Sequence, residues 1–316
     1  MSEIHTHAPD EHGNAYDGLL VDDVHWAFGS GQEFEHSEDP LAGVDVTVPD
    51  GVDPAALASY CLMLGDDALI MSQRLAELTS RGPDLEEDIA IANIALDLLG
   101  QARLLLARAA AAGPTVVPTL PEGSPVPAED ALAFFRGDQQ FRNVRMVEVP
   151  NGDFGETVAR LLLFSAYRLA LFQRLATSRD TVLAAVAAKG VKEMTYHRDF
   201  AGRWFLTLAQ GTEESRRRVL AGLTGLLPLW PELFETHEIE AAVAATGVGV
   251  DPAAVEAEVE VVLDEVFAVS GVERPDTRPL AGVQRLKGRD GRHTEALSRL
   301  LAEMQVVARE HPTGRW

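Results

Sequence analysis

The longest unbroken helical pattern runs from Asp84 to Ala112, between Pro83 and Gly113-Pro114. Asp84 is a suitable N-cap, and Glu86, Glu87 and Asp88 place negative charge where the helix dipole favours it. Ile, Leu and Ala fill almost every other position, so the stretch predicts a helix on the order of 40 Å long. One polar stripe interrupts it: Asn93, Asp97 and Gln101 recur at i, i+4 and i+8. A helix that is apolar nearly all round belongs inside its protein. The stripe is therefore expected to be buried at least in part and to need partners. It is either a structural hydrogen-bonding stripe or the remains of a site.

The same period marks three more long helices. Asp53-Pro54 opens one that reaches about Ser80, and the short link Arg81-Gly82-Pro83 forces it antiparallel to the next. Residues 113–152 are rich in proline and glycine, with a short helical piece near 128–135 and a segment, FRNVRMVEVP, that fits an extended conformation. A third helix runs from about Asp153 to Thr177, and a fourth follows the break at 178–180 and continues to Gln210 with one interior glycine, Gly190. Two hairpins joined by a crossover of about forty residues predict an all-α, ferritin-like four-helix bundle over 53–210. Additional helices occupy 213–316: Glu213–Glu235, interrupted by Pro228 and Pro231; Asp251–Ser270; and His293–Glu310. Residues 1–52 sustain no period. They are acidic and hold five of the nine histidines (His5, His7, His12, His25 and His36), which predicts a mobile extension or a strap that orders on a partner.

Composition narrows the functional classes. With 316 residues, 46% of them hydrophobic, the chain can bury a large core. A net charge of −22 argues against nucleic acid and anionic membranes as partners. Cys61 is the single cysteine, and neither a signal peptide nor an obvious membrane-spanning run is seen, so a cytoplasmic protein is expected. Only three of the 27 basic residues are lysines (Lys189, Lys192 and Lys287); the rest are arginine, a bias with either a genomic or a functional origin. Arg285–His293 forms a basic loop before the last helix. It fits an anion site there, or arginines that are solvated or paired with acids.

Ferritin-like bundles often hold two irons through a Glu from one helix of each hairpin and a Glu-x-x-His pair from the other. That requires two histidines in the bundle, and this chain has one, His197. Its single Glu-x-x-His, Glu33 to His36, lies in the extension. At the would-be ligand positions the second helix offers Asp97, Leu98 and Gln101. The fourth offers Glu193, Met194 and His197, with carboxylate and imidazole four residues apart instead of three. The first helix offers Asp66 and Asp67, which serve either as ligands or as ion-pair partners. The third has Ser165, Tyr167 and Arg168 near its middle and no carboxylate. The pattern reads as an eroded di-iron site without metal or catalytic groups of its own. Asp66, Asp97 and Glu193 are expected to be neutralised by Arg168, Lys192 and His197, with Arg168 on Asp97 or Asp66.

Five stretches carry a family resemblance: RLAELTSRGPDLEEDIAIANIALDLLGQAR, the NGDF before the third helix, KEMTYHRDF, Pro-Glu-Leu-Phe at 231–234, and the closing RHTEALSRLLAEMQVVAREHP with its final Trp316. From about Ser59 to Trp316 the chain resembles the C subunits of bacterial phenylacetyl-CoA 1,2-epoxidases. The resemblance implies a non-catalytic scaffold subunit of a di-iron monooxygenase that uses O₂ and NADPH-derived electrons in phenylacetate breakdown. It also implies the partners: a homologous catalytic A subunit that holds the irons and the CoA ester, a small B subunit and a reductase. The acidic extension departs from the family pattern. Two other readings remain beside it, a self-sufficient ferritin-like di-metal oxidoreductase and an acyl-CoA-binding helical protein.

Overall fold

The computed structural model describes residues 39–279 and 287–314, and every regular element among them is helical. Each long bundle helix begins where an aspartate caps it. Asp53 accepts from the Ala55 N–H at 3.1 Å and opens α1 (Pro54–Ala76). Asp84 accepts from the Glu86 and Glu87 N–H groups and opens α2 (Leu85–Ala112). Such oxygens satisfy N–H groups that a first helical turn leaves without partners. The crossover contains two short helices, α3 (Ala128–Phe134) and α4 (Arg145–Glu148). Asp153 and Asp180 then cap α5 (Phe154–Leu175) and α6 (Thr181–Gln210). α1 packs on α2, α5 on α6, and α2 on α6. This is the ferritin-like bundle the periodicity predicts.

The C-terminal helices wrap this bundle. α7 (Glu213–Leu226) lies on α5 and α6, then tightens into a 3₁₀ stretch over Leu227–Phe234, where Pro228 and Pro231 remove two backbone donors. That stretch delivers Trp230 and Phe234 as an edge-to-face pair, with Tyr167 of α5 against Phe234. An eight-residue helix that the periodicity does not reveal, α8 (Glu238–Ala245), packs on α1. α9 (Glu256–Ser270) covers α5 and α6, and α10 (Glu295–Glu310) lies over α3 and α4.

The structure corrects several expectations. The segment that fits an extended conformation, FRNVRMVEVP, is extended at Phe141 and Val144 but makes the single turn of α4 over Arg145–Glu148, where Asn143 donates to the buried Glu148 across that turn. Residues 39–52 do not belong to a mobile extension; they rest on the bundle. Leu41 is buried, the Thr181 hydroxyl donates to the Asp45 carbonyl, and Arg108 donates to the Val46 carbonyl. Residues 1–38, with all five N-terminal histidines, lie outside the described residues. α2 is not inside all round. Its C-terminal half is buried, but Leu85, Ile89, Leu96 and Leu99 face outward. The stripe on it follows this gradient, with Asn93 exposed, Asp97 half-buried and Gln101 buried. Finally, α1 and α2 are each long and apolar enough by length and composition to cross a bilayer, although no such run stands out in the sequence. α1 places those apolar positions inside the bundle, and a core helix meets the same criterion.

The crossover is bound to α1 by charge. Asp66 is paired with the Arg136 guanidinium and accepts from the Arg142 N–H at 2.8 Å. Asp67 accepts from the Val144 N–H at 2.8 Å and pairs with Arg289 at 2.8 Å. In the described part of the basic loop that fits an anion site, residues 287–293, Lys287 and Arg289 are therefore taken up by the protein's own acids. Arg289 is buried on Asp67, and Lys287 is paired with Glu235.

Beside this loop, His293 places Nδ1 2.7 Å from a Glu148 carboxylate oxygen and Nε2 3.0 Å from the Phe141 carbonyl. Acceptors at both nitrogens suit the doubly protonated ring. Burial alone would push this imidazole down, but Glu148 and the Phe141 carbonyl outweigh it and raise its pKa above the ordinary value. A raised folded-state pKa contributes stability that is fully present below the unfolded value and is lost as pH rises through the folded one. His293→Ala is thus expected to cost about 2 kcal/mol in mildly acidic buffer and clearly less in alkaline buffer. Urea unfolding of both proteins across this range checks it, and a pH-independent difference would refute the charged imidazole.

Candidate functional site

The centre of the bundle is spanned by a hydrogen-bonded chain of protein groups. Arg168 of α5 donates through Nη2 to the Leu64 carbonyl of α1 at 3.3 Å and through Nε to Gln101 Oε1 of α2 at 2.9 Å. Gln101 Nε2 donates to Glu193 Oε2 of α6 at 2.8 Å, with Met194 Sδ beside it at 3.8 Å. Lys189 approaches the same carboxylate at 3.5 Å. The Arg168 guanidinium lies against the Phe172 ring, 4.4 Å from its centroid, and near Phe164. The interior glycine of α6 follows from this arrangement. A Cβ on Gly190 would stand 2.4 Å from the Phe172 ring, so only glycine lets that ring sit between α6 and the guanidinium.

The sequence-derived positions are thus partly gathered. Gln101, Glu193 and Met194 meet at the centre, and Leu98 is buried. Ser165, also buried, bonds back to the Leu162 carbonyl of its own helix. His197 is fully buried and holds Asp97 Oδ2 through Nε2 at 3.0 Å, while the Asp97 side chain keeps 38% exposure. Asp66 faces the crossover. The neutralising partners expected from the sequence are found only in part. His197 does pair with Asp97, but Asp66 is met by Arg136, and Glu193 by Gln101 and Lys189. Arg168 finds an amide and a carbonyl instead of either aspartate, because its helix carries it to the level of Gln101. With Asp97 half in water, its removal should cost less than the loss of a fully buried pair.

These residues do not fit a di-iron centre. The bundle offers one imidazole where two are needed, and its Nε2 is committed to Asp97. The Nδ1 atom of His197 has no hydrogen-bonding partner among the described residues, but no pair of carboxylates converges with it. Burial brings the Arg168 pKa down to about 10, with Asp67 opposing the fall, so the guanidinium stays charged at neutral pH where cations would have to sit. Among the described residues, the one trio of possible ligands close enough to share an ion is Asp84, Glu86 and Glu87. It lies at the exposed start of α2, about 25 Å along the helix from Gln101, where Asp84 already serves as the N-cap.

Fold and centre together define a ferritin-like bundle whose centre is spanned by side chains. The chain belongs to the phenylacetic acid catabolic protein family, whose sequence profile matches residues 47–316. It is 42% identical over 262 residues to the C subunit of the 1,2-phenylacetyl-CoA epoxidase from Escherichia coli (strain K12). That alignment covers 82% of this chain and 99% of the relative.

Proposed function

We propose that this chain is the non-catalytic bundle subunit of a multicomponent di-iron monooxygenase that epoxidises the ring of an aryl-acyl-CoA, phenylacetyl-CoA being the substrate in the relative's name. The observation that carries the proposal is the Arg168–Gln101–Glu193 chain across the bundle centre; in this reading it is an eroded and refilled metal site. In this reading the protein is cytoplasmic. Its partners are a homologous catalytic subunit holding the irons, a small second subunit, and a reductase delivering electrons. A catalytic bundle must open to a bulky CoA ester and to its electron donor, which lowers local stability. A partner bundle closed at its centre can brace it.

The catalytic subunit purified alone is expected to be inactive and to regain epoxidation on mixing with this chain, with the irons assayed only in the catalytic subunit. His197→Ala combined with Glu193→Ala in this chain should leave turnover within about twofold, since neither residue touches substrate in this reading. A complex that assembles normally yet forms no product would overturn the scaffold role. So would two irons per chain in this subunit after iron-replete expression.

A further inference from the structure

We propose that the cleft between α6 and α9 is a binding site for an organic carboxylate with an apolar body, an alkyl or aryl acid. Lys192, Tyr196, Asp199 and Arg203 line it at spacings of four, three and four, which places them on one face of α6. Val262 and Val266 of α9 form the opposite wall, and the buried Leu162 of α5 lies between. The cleft holds about 640 Å³, within the range of small-molecule sites. Its cations are unequally engaged. Arg198 turns onto Asp199, the one acid in the lining, at 2.9 Å. Lys192 has no ion pair among the described residues. Arg203 meets the Asp199 carbonyl through Nε at 3.2 Å, and no carboxylate among the described residues pairs with it.

Exposed cations by themselves are ordinary surface and require no ligand. What distinguishes this pair is the space between them. They stand about 16 Å apart along α6, with the Tyr196 ring, 46% exposed, and the two half-buried valines alongside. Gly202 keeps that space clear. A Cβ there would meet nothing within 4 Å, so packing does not call for glycine, and an interior glycine weakens a helix relative to alanine. Gly190 of the same helix differs, since the Phe172 ring needs its place. Open volume, apolar walls and unspent positive charge together fit an anion whose body is apolar, on a chain whose net charge of −22 otherwise repels anions. The cleft at the start of α8 lacks this combination, because Lys287 there is spent on Glu235 and Arg289 on Asp67.

The test reads binding to the full-length chain and no activity, so it stands or falls apart from the proposed function. In isothermal titration calorimetry, decanoate and 2-naphthylacetate serve as the alkyl and aryl probes. At least one should bind once per chain with a dissociation constant below about 100 µM, and the tighter of the two identifies the source of the body. Inorganic phosphate should not displace it. Gly202→Leu, which fills the cleft, should weaken binding at least about tenfold. One of Lys192→Glu and Arg203→Glu should do the same, marking the end that holds the carboxylate, and Lys192→Arg or Arg203→Lys at that end should retain binding. Should Gly202→Leu unfold, the charge reversals still decide, since both positions are exposed and their circular dichroism should stay native. Absence of binding at about 1 mM of either probe, binding that survives Gly202→Leu, or indifference to both charge reversals overturns the proposal. Displacement by phosphate also overturns it, by leaving a bare anion site.

Discussion

Replacing Arg289 with alanine is expected to destabilise the protein by roughly 3–5 kcal/mol, as removal of one member of a buried ionic cluster does. Arg289 donates to Asp67 at 3.0 and 2.8 Å and to the Met63 and Arg142 carbonyls, and it lies 3.6 Å from Glu240. Burial opposes its charge, yet Asp67, Glu240 and Tyr167 together hold its pKa above the ordinary arginine value. Without it, two carboxylates remain inside with no cation between them. Burial already raises the Glu240 pKa, and the loss of Arg289 raises it further. A carboxylate whose folded pKa lies above its unfolded one costs stability at higher pH, and the cost fades as pH falls and the group protonates. The difference from wild type should therefore be largest near neutrality and shrink toward pH of about 5. In thermal melts it should appear as a loss of roughly 10 °C. A variant within about 1 kcal/mol of wild type at neutral pH would mean that the cluster is not dry.

The second large effect is expected at Asp180. This carboxylate pairs with Arg108, both side chains being essentially inaccessible, at 2.6 Å, and it also caps α6 by accepting from the Leu183 N–H at 3.0 Å. Arg108 in turn holds the carbonyls of Val46 and Thr47. Asp180→Ala strands a buried guanidinium and uncaps a thirty-residue helix, for a combined cost of about 4–6 kcal/mol. Asp180→Asn, which keeps a capping oxygen, should recover about 1 kcal/mol of this. Limited proteolysis should show cleavage near residues 45–48 well before the bundle yields. Equal resistance in wild type and Asp180→Ala would separate the N-terminal strap from this pair.

The four bundle helices are legible in the sequence because local signals agree: Asp53, Asp84, Asp153 and Asp180 each cap where the apolar period begins. α8 is not, because eight residues such as EIEAAVAA carry barely two turns of pattern. The outward face of α2 is hidden for a related reason. Leu96 and Leu99 are as apolar as the buried Leu98 between them, and hydropathy alone does not say which side meets a neighbour. The missing second histidine is a countable fact, and it is enough to doubt a metal centre. Which groups span the bundle centre is not countable. Arg168 meets Gln101 and Leu64 rather than an aspartate through the rotation of three helices, which no spacing encodes. The arginine excess holds a signal that composition alone leaves ambiguous. Arg74, Arg108, Arg136, Arg145, Arg160, Arg168 and Arg289 are all buried, and a planar fork with several donors serves buried carbonyls and carboxylates better than an ammonium.

The pairing of Asp67 with Arg289 joins residues 222 positions apart. On a ribosome adding about 5–20 residues each second, α1 exists for roughly 10–45 s before Arg289 is made. Through that interval the helix carries a carboxylate that cannot be buried at tolerable cost, so the bundle cannot close around it early. Completion of the core is thereby tied to completion of the chain. Nascent fragments ending before Arg289 should remain open and dependent on chaperones, and early termination should yield degradable product instead of a truncated protein able to compete for partners.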